Sequence, residues 1–526
     1  MAFAIRGRLG LRSSARELEA EHTELKRMYA ELALLARSPA ACLFRMRRGM
    51  GPARFTPFLP VMVFNSLEFV VFATLVFPVY FALRSWPART GWLLAASWAF
   101  YATWSPRFLL LLIATTWVDF QFAKRIHEAH ERGDAGRRQA RRWLVFSLVM
   151  NLGVLAFFKY GRFLYEQTGV LTPLPPTPAW LAVAAPLGIS FYTFHSISYV
   201  VDTYRGLRPP SYSFREYALY VSFFPQLIAG PISRWGLLGP QVETPRRVRL
   251  EAIERGAFLV LRGLVKKVVL ADSLGVLVDR VYGDVGFAAP IEIGLAVYAY
   301  AFQIYFDFSG YTDIALGLAR MLGFRLPENF DHPYRALNPR EFWRRWHISL
   351  STWLRDYVYV SLCGNRGRAS RTYVNLLATM VLGGLWHGAG WMYVLWGTFH
   401  GLWLVLHRLV TALRPGLPRA PAVVRLLVTF HLVALAFVIF RAPSLDVVRA
   451  IFDGLGSGRP MSGPFPLGAC LALGVGVLGH AVSGRFDLEA WWLRSPRFAQ
   501  GAVVGAVAML LGVFSGQSQR FIYFQF

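Results

Sequence analysis

The chain has 526 residues, of which 55% are hydrophobic and only 16% charged, and its mean hydropathy is +0.39. Soluble domains carry roughly 25% charged residues, so this balance excludes an ordinary soluble protein and points to one that crosses a bilayer repeatedly. The formal charge of +26 argues for basic loops on the cytoplasmic side rather than for nucleic acid, because the basic residues fall between apolar runs. Cys42, Cys363 and Cys470 are far apart and show neither a disulfide framework nor a metal-ligand spacing.

Residues 1–61 stand apart from the rest. They are rich in Arg and Glu, and Leu18, Leu25, Leu32 and Leu35 recur at helical spacing. No apolar core is followed by a small-residue cleavage site, so the segment is not a secretory signal. It reads as a cytoplasmic amphipathic helix or as an upstream extension from a misassigned start. The membrane domain is expected over residues 62–526. Its first spans are Leu67–Leu83, Trp92–Thr103 and Phe108–Phe122. Lys124–Arg142 reads as a hydrophilic cytoplasmic loop, within which His127 and His130 lie i,i+3 on a polar helix as a solvated pair rather than metal ligands.

Trp143–Tyr165 spans again, and a proline-rich loop leads into Leu181–Tyr204, whose Ser190, Thr193, His195 and Ser198 make it too polar to face lipid. Phe223–Ile232 is apolar but broken by two prolines, as expected of a re-entrant segment buried in protein. Glu251–Leu270 and the long Ile291–Leu322 follow, the latter carrying Asp307 and Asp313. Arg340–Val360 reads as one amphipathic, aromatic-rich helix at the membrane interface. The remaining spans lie near Tyr373–Leu385, Met392–Leu409, Val423–Phe440, Leu467–Val482 and Gly501–Phe514. The whole is an all-α polytopic membrane protein with about ten to twelve crossings of roughly 20 residues each, some of them short.

Two Trp-His pairs concentrate the chemistry, Trp346-His347 and Trp386-His387. An ionisable residue at membrane depth is a functional-site candidate by default, and histidine moves protons near neutral pH. Gly383, Gly384, Gly388 and Gly390 flank His387 and let a helix or substrate approach the backbone closely. Read alone, a histidine on an apolar helix is more often an interhelical hydrogen-bonder than a catalyst. Two histidines, two aspartates and a basic rim within one stretch shift that balance. Arg344, Arg345, Arg366 and Arg368 either attract donor phosphates or simply anchor the cytoplasmic side. Asp307 and Asp313 are too costly to leave ionised without a partner, so each should have one.

Four stretches carry a resemblance: Pro186–Phe194, Phe306–Asp313, Glu341–Ser349 and Gly384–Gly388. Together they closely resemble the membrane-bound O-acyltransferase family, in its bacterial alginate O-acetyltransferase branch, and the terminal Phe521–Phe526 is similar to that branch as well. The resemblance runs from about Met62 to the C-terminus. It implies a ring of tilted transmembrane and re-entrant helices around a central funnel. It also implies an acyl group, acetyl in this branch, taken from a cytoplasmic thioester such as acetyl-CoA and delivered to a polysaccharide hydroxyl, directly or through an extracytoplasmic acetyltransferase partner. The family's near-invariant histidine falls on His387 and its second active-site position on His347. Beside them Arg344, Arg345, Trp346, Trp386, Asp307 and Asp313 are substrate-side candidates, the two aspartates being more readily structural hydrogen-bonders within the bundle than catalysts. No bound cofactor or metal is implied, and the bacterial inner membrane is the expected location. The alternatives are a D-alanyl or protein acyltransferase of the same family, or a proton-coupled transporter. The transporter would be expected to show paired broken helices in two repeated halves, and no such repeat is visible.

Overall fold

A computed structural model describes residues 62–171, 175–181, 183–414, 418, 420–461, 463–514 and 521–522. The amphipathic reading of residues 1–61 lies outside the described residues. Among the described residues the protein is helical, without a β-strand. Three helical stretches, Asp134–Gly169, Ala422–Arg441 and Arg497–Phe514, are long and apolar enough to cross a membrane by length and composition alone. Leu67–Ala82 and Leu467–Val482 are shorter and apolar.

The first third of the domain holds α1 (Leu67–Ala82), α2 (Trp86–Ala102), α3 (Pro106–Glu131) and α4 (Asp134–Leu155). Each of the first two is started by a serine: Ser66 accepts from Phe69 N and Ser85 from Ala88 N. The expected hydrophilic loop Lys124–Arg142 is corrected. It consists of the end of α3 and the start of α4, joined through Gly133 with φ 62°. Arginine and glutamine are good helix formers, so low hydropathy there marks solvated helix ends and not irregular chain. Within it, His127 faces Glu131 at 3.6 Å and His130 meets the Tyr204 carbonyl at 2.9 Å. Past α4 the helix widens into a π-helical turn, Ala156–Tyr160, and resumes as α5 (Gly161–Leu171).

The expected span Leu181–Tyr204 is helical only as α6 (Ile189–Tyr204), because Gly188 turns the chain at φ 73°. A side chain at Gly188 would strike the Leu227 carbonyl at 2.6 Å. Nearly all of α6 is buried, in keeping with its polar sequence. α7 (Phe214–Ser222) leads to the proline-broken stretch, which forms one turn, α8 (Phe224–Leu227), and then extends. It is buried throughout, and side chains satisfy its backbone. Phe224 N donates to Ser97 Oγ (3.0 Å), Ile232 N to Ser349 Oγ (3.0 Å) and Ser233 N to His195 Nε2 (3.2 Å).

After α9 (Trp235–Glu243), α10 (Leu250–Leu264) passes through a π-helical turn, Val265–Ala271, into α11 (Asp272–Gly283). Next comes the longest helix, α12 (Pro290–Met321). Gly256 and Gly263 of α10 oppose Gly317 and Gly310 of α12 so closely that an added Cβ would fall 2.5–2.8 Å from a carbonyl oxygen across the contact. Small residues allow this backbone-to-backbone packing, which in lipid replaces the hydrophobic drive of water.

Asp307 and Asp313 sit in that interface, and cations hold both. Asp313 takes a two-pronged contact from Arg262 (2.8 and 2.8 Å) and one from Lys266 Nζ (2.7 Å). Asp307 binds Lys267 Nζ at 2.6 Å, and Lys267 also reaches Asp272 at 2.8 Å. The second oxygen of Asp307 accepts from Ile522 N (2.9 Å), while the Phe521 ring lies 4.4 Å from Lys267 Nζ. A buried ion cluster thus ties Phe521 and Ile522 to the centre of α12.

The expected single helix Arg340–Val360 is also corrected. It is three pieces: α13 (Pro339–Arg345), α14 (Ile348–Trp353) and a π-helical turn, Leu354–Tyr359. The chain then continues as α15 (Ala369–His387), α16 (Trp391–Leu413), α17 (Ala422–Arg441), α18 (Leu445–Leu455), α19 (Leu467–Val482), α20 (Leu488–Arg494) and α21 (Arg497–Phe514).

Candidate active site

The break between α13 and α14 falls on Trp346 and His347. His347 adopts φ 44°, ψ 54°, a left-handed conformation uncommon outside glycine, in which Asn, Asp and His are the side chains met most often. It is held there by the loop that follows α12. Ile348 N donates to the Asn329 carbonyl (2.9 Å), and Asn329 Oδ1 accepts from Ser349 N (3.3 Å) and Ser349 Oγ (2.6 Å). Asn329 and His347 are both fully buried. Trp346 stacks on Phe342 (centroids 5.6 Å apart) and so marks the end of α13. His347 is therefore placed inside the protein by a strained turn, not on an exposed helix face near a mouth. Backbone strain of this kind concentrates at functional sites, where the surrounding structure must over-determine it.

His387 ends α15, and the chain turns at Gly388 into α16. Of the four glycines expected to admit close approach, Gly384 and Gly388 do so, whereas a Cβ on Gly383 or Gly390 would come no nearer than 3.1 and 3.6 Å to a side chain. A Cβ on Gly384 would lie 2.1 Å from the Tyr393 carbonyl oxygen, one on Gly388 2.1 Å from the Tyr393 ring, and one on Gly397 2.4 Å from the Met380 carbonyl oxygen. α15 and α16 therefore pack backbone against backbone, and His387 is set by that contact. Its ring stands edge-on to Trp396 (5.2 Å) and Phe440 (5.2 Å).

The two histidines, distant in sequence, come together. Their ring centroids are 6.4 Å apart, and both are buried. Phe308 packs edge-on against His347 at 4.6 Å, while Trp386 lies 5.8 Å from His347 and 5.0 Å from the His387 ring. Trp386 is itself seated against Phe191 (5.3 Å) and Phe194 (5.6 Å) of α6. Three of the resembling stretches thus contribute side chains around one pair of imidazoles, with the fourth carrying Phe308.

The remaining candidates are placed elsewhere. Arg345 is bound to Glu341 (2.9 Å) and Asp331 (3.1 Å), and Arg344 is exposed. Asp313 is paired with Arg262 of α10 and Lys266 of the π-helical turn that follows it, and Asp307 with Lys267 of the same turn. A cavity of about 1130 Å³ is lined by Arg262, Lys266, Tyr305, Asp313, Asn329 and His332 among others. It reaches the loop that latches His347 but neither histidine lines it. Among the described residues no cluster of three or more His, Cys, Asp or Glu is placed to hold a metal.

Reasoning from the sequence missed Lys159 and Tyr160 of the π-helical turn, which bind the last carbonyls of α15 beside His387. The signal was present: a lysine within an apolar span is rare unless it serves a purpose. It also missed Asn329, whose role depends on a contact formed only in three dimensions, and His400, fully buried one turn along α16 from Trp396.

Residues 93–438 match the model of MBOAT, the membrane-bound O-acyltransferase family. The chain belongs to that family. It is 42% identical over 399 residues to the probable alginate O-acetylase AlgI of Pseudomonas aeruginosa, covering 75% of each chain. It is 35% identical over 433 residues to the peptidoglycan O-acetyltransferase of Helicobacter pylori, covering 75% of this chain and 80% of the relative. A teichoic acid D-alanyltransferase from Streptococcus thermophilus is more distant, 30% identical over 283 residues, or 48% of this chain and 68% of the relative. The family membership and these relatives make the protein a membrane-bound O-acyltransferase, and the paired histidines lie within the matched span.

Proposed function

We propose that the protein transfers an acetyl group from a cytoplasmic acyl thioester, such as acetyl-CoA, to hydroxyls of an exported alginate-like polysaccharide. It acts either directly or through an extracytoplasmic acetyltransferase partner, and it works in the bacterial cytoplasmic (inner) membrane. The observation that carries this reading is the convergence of His347 and His387, 6.4 Å apart, in a chain whose 42%-identical relative is named a probable alginate O-acetylase. In this reading the helices form a ring around a central funnel, and the donor and acceptor meet at the two imidazoles.

Imidazole centres at that spacing can each reach a reacting atom placed between them at roughly 3 Å. His387 takes the proton of the attacking hydroxyl as its oxygen bonds to the thioester carbonyl carbon. His347 donates a hydrogen bond to the carbonyl oxygen as it becomes an oxyanion. When the tetrahedral species collapses, the carbon–sulfur bond breaks and the proton held by His387 passes to the departing thiolate. Base catalysis contributes about 10²–10⁴-fold and an oxyanion donor about 10²–10³-fold. In this reading the exposed Arg344, with Arg366 and Arg368, attracts the donor's phosphates, and Trp386 walls the site.

D-alanyl or protein acylation is the alternative within the family. The greater identity and coverage of the O-acetylating relatives support the polysaccharide reading over it. The test is complementation. A strain lacking the gene should regain polymer O-acetyl esters with the wild-type protein and not with H387A expressed in the membrane at equal level. Restored esters with H387A would overturn the base assignment, and an unaltered acetyl content on deletion would overturn the acceptor.

A further inference from the structure

Lys159 stands in the π-helical turn Ala156–Tyr160, inside the apolar stretch Asp134–Gly169. Its Nζ donates to the backbone carbonyl of Trp386 and lies 3.3 Å from Ser190 Oγ and 5.6 Å from the centre of the Trp386 ring. The next residue does the same job one carbonyl earlier: Tyr160 Oη donates to the Leu385 carbonyl at 2.7 Å. Among the described residues no carboxylate lies within ion-pair distance of Lys159 Nζ. A lysine placed in an apolar stretch and turned toward a helix end, with neutral partners, is expensive unless it serves a purpose.

The two carbonyls explain the arrangement. The last four carbonyls of a helix have no partner within it, and they form the negative end of the helix dipole. α15 ends at His387, and Gly388 leaves in extended conformation. An ammonium on the Trp386 carbonyl and a phenol on the Leu385 carbonyl cap it from outside. On a regular α-helix neighbouring residues point about 100° apart, which makes it hard for consecutive side chains to reach consecutive carbonyls of one target. The wider π-helical turn brings Lys159 and Tyr160 onto that target together. Such turns are rare and frequent at functional sites.

We infer that Lys159 is the positioning residue for His387: its ammonium grips the peptide carbonyl that immediately precedes the histidine and fixes the imidazole against His347. This rests on the acyl-transfer reading above and extends it from the histidines to the cation that sets one of them. A misplacement of about 1 Å in a catalytic group can cost roughly 10²-fold in turnover. The effect belongs in kcat, because the clamp touches the helix end rather than the donor.

The test uses purified full-length protein with acetyl-CoA as donor and de-acetylated alginate as acceptor, comparing wild type with K159M, K159R, Y160F and H387A. K159M keeps the length of the side chain and removes its donors. It should lower kcat by about 10–100-fold with KM for acetyl-CoA within about 2-fold, and K159R, which restores cationic donors, should recover most of that loss. Should K159M not fold, Y160F carries the test: loss of one neutral hydrogen bond to the same segment should lower kcat about 5-fold at unchanged KM. Wild-type kcat in folded K159M, or in Y160F where K159M does not fold, overturns the proposal, as does a loss confined to KM. H387A separates the two levels. Inactive H387A beside fully active K159M overturns this proposal alone, whereas active H387A overturns the role of His387 and the proposal with it.

Discussion

The contact between α15 and α16 sets His387, and Gly384→Ala tests that directly. An alanine Cβ at this position would lie 2.1 Å from the Tyr393 carbonyl oxygen, 3.1 Å from its carbon and 3.2 Å from Gly397 Cα. All three are backbone atoms, so no rotamer change relieves the overlap. Restoring ordinary contact at 3.4 Å requires the helices to part by about 1.3 Å, the difference between 3.4 and 2.1. Overpacking of this kind costs about 1–3 kcal/mol, offset by up to about 1 kcal/mol from alanine's better helix propensity. The net stability change should therefore be small, about 0–2 kcal/mol. The catalytic effect should be larger, because His387 sits three residues on and a shift near 1 Å costs roughly 10²-fold. Acetyl-transfer rate and thermal midpoint in detergent are the readouts. Gly474→Ala on α19, where a Cβ meets nothing within 4 Å, is the control and should keep wild-type activity. Wild-type turnover in G384A would refute the claim that this backbone contact positions the histidine.

Other expectations follow from the same geometry. His347→Asn should fold better than His347→Ala, because Asn tolerates the left-handed backbone at φ 44°. Both should lose about 10²-fold or more in kcat if the imidazole stabilises the oxyanion, measured alongside thermal midpoints. Asn329→Ala removes the acceptor of both Ser349 donors and should lower kcat through His347 while leaving the protein in the membrane, as read by activity per mole of monodisperse protein. Lys267→Met leaves Asp307 and Asp272 without their cation and should destabilise by about 3–5 kcal/mol. The triple change K267M/D307N/D272N should recover part of that in a detergent melting assay.

The two corrections to the helix assignments have different causes. Lys124–Arg142 reads as a loop that carries a polar helix, and the helix in fact takes all of it but the turn at Arg132 and Gly133, because Arg, Gln and Glu sustain helices well in water. Arg340–Val360 was misread because its periodicity is continuous in sequence, while the break at His347 is imposed from outside by Asn329. No local signal announces it. The apolar helices themselves were legible, since Leu467–Val482 begins and ends where its composition does. The glycines around His387 were legible too, because close approach needs them whatever the partner. What sequence could not supply was the meeting of His347 with His387, which depends on how α6, α12 and α15 assemble around Trp386 and Phe308. Lys159 is visible in the sequence but hidden within an otherwise apolar stretch.

The most direct test of the paired-histidine site is label transfer by purified protein in proteoliposomes. Radiolabelled acetyl-CoA is supplied with de-acetylated alginate, and base-labile label on the polymer is counted for wild type, H387A and H347N. Where transfer is relayed, the extracytoplasmic partner is added and label is followed to it. The account predicts ester label with wild type, none above background with H387A, and a residue of about a hundredth or less with H347N. Equal labelling by wild type and H387A would contradict it.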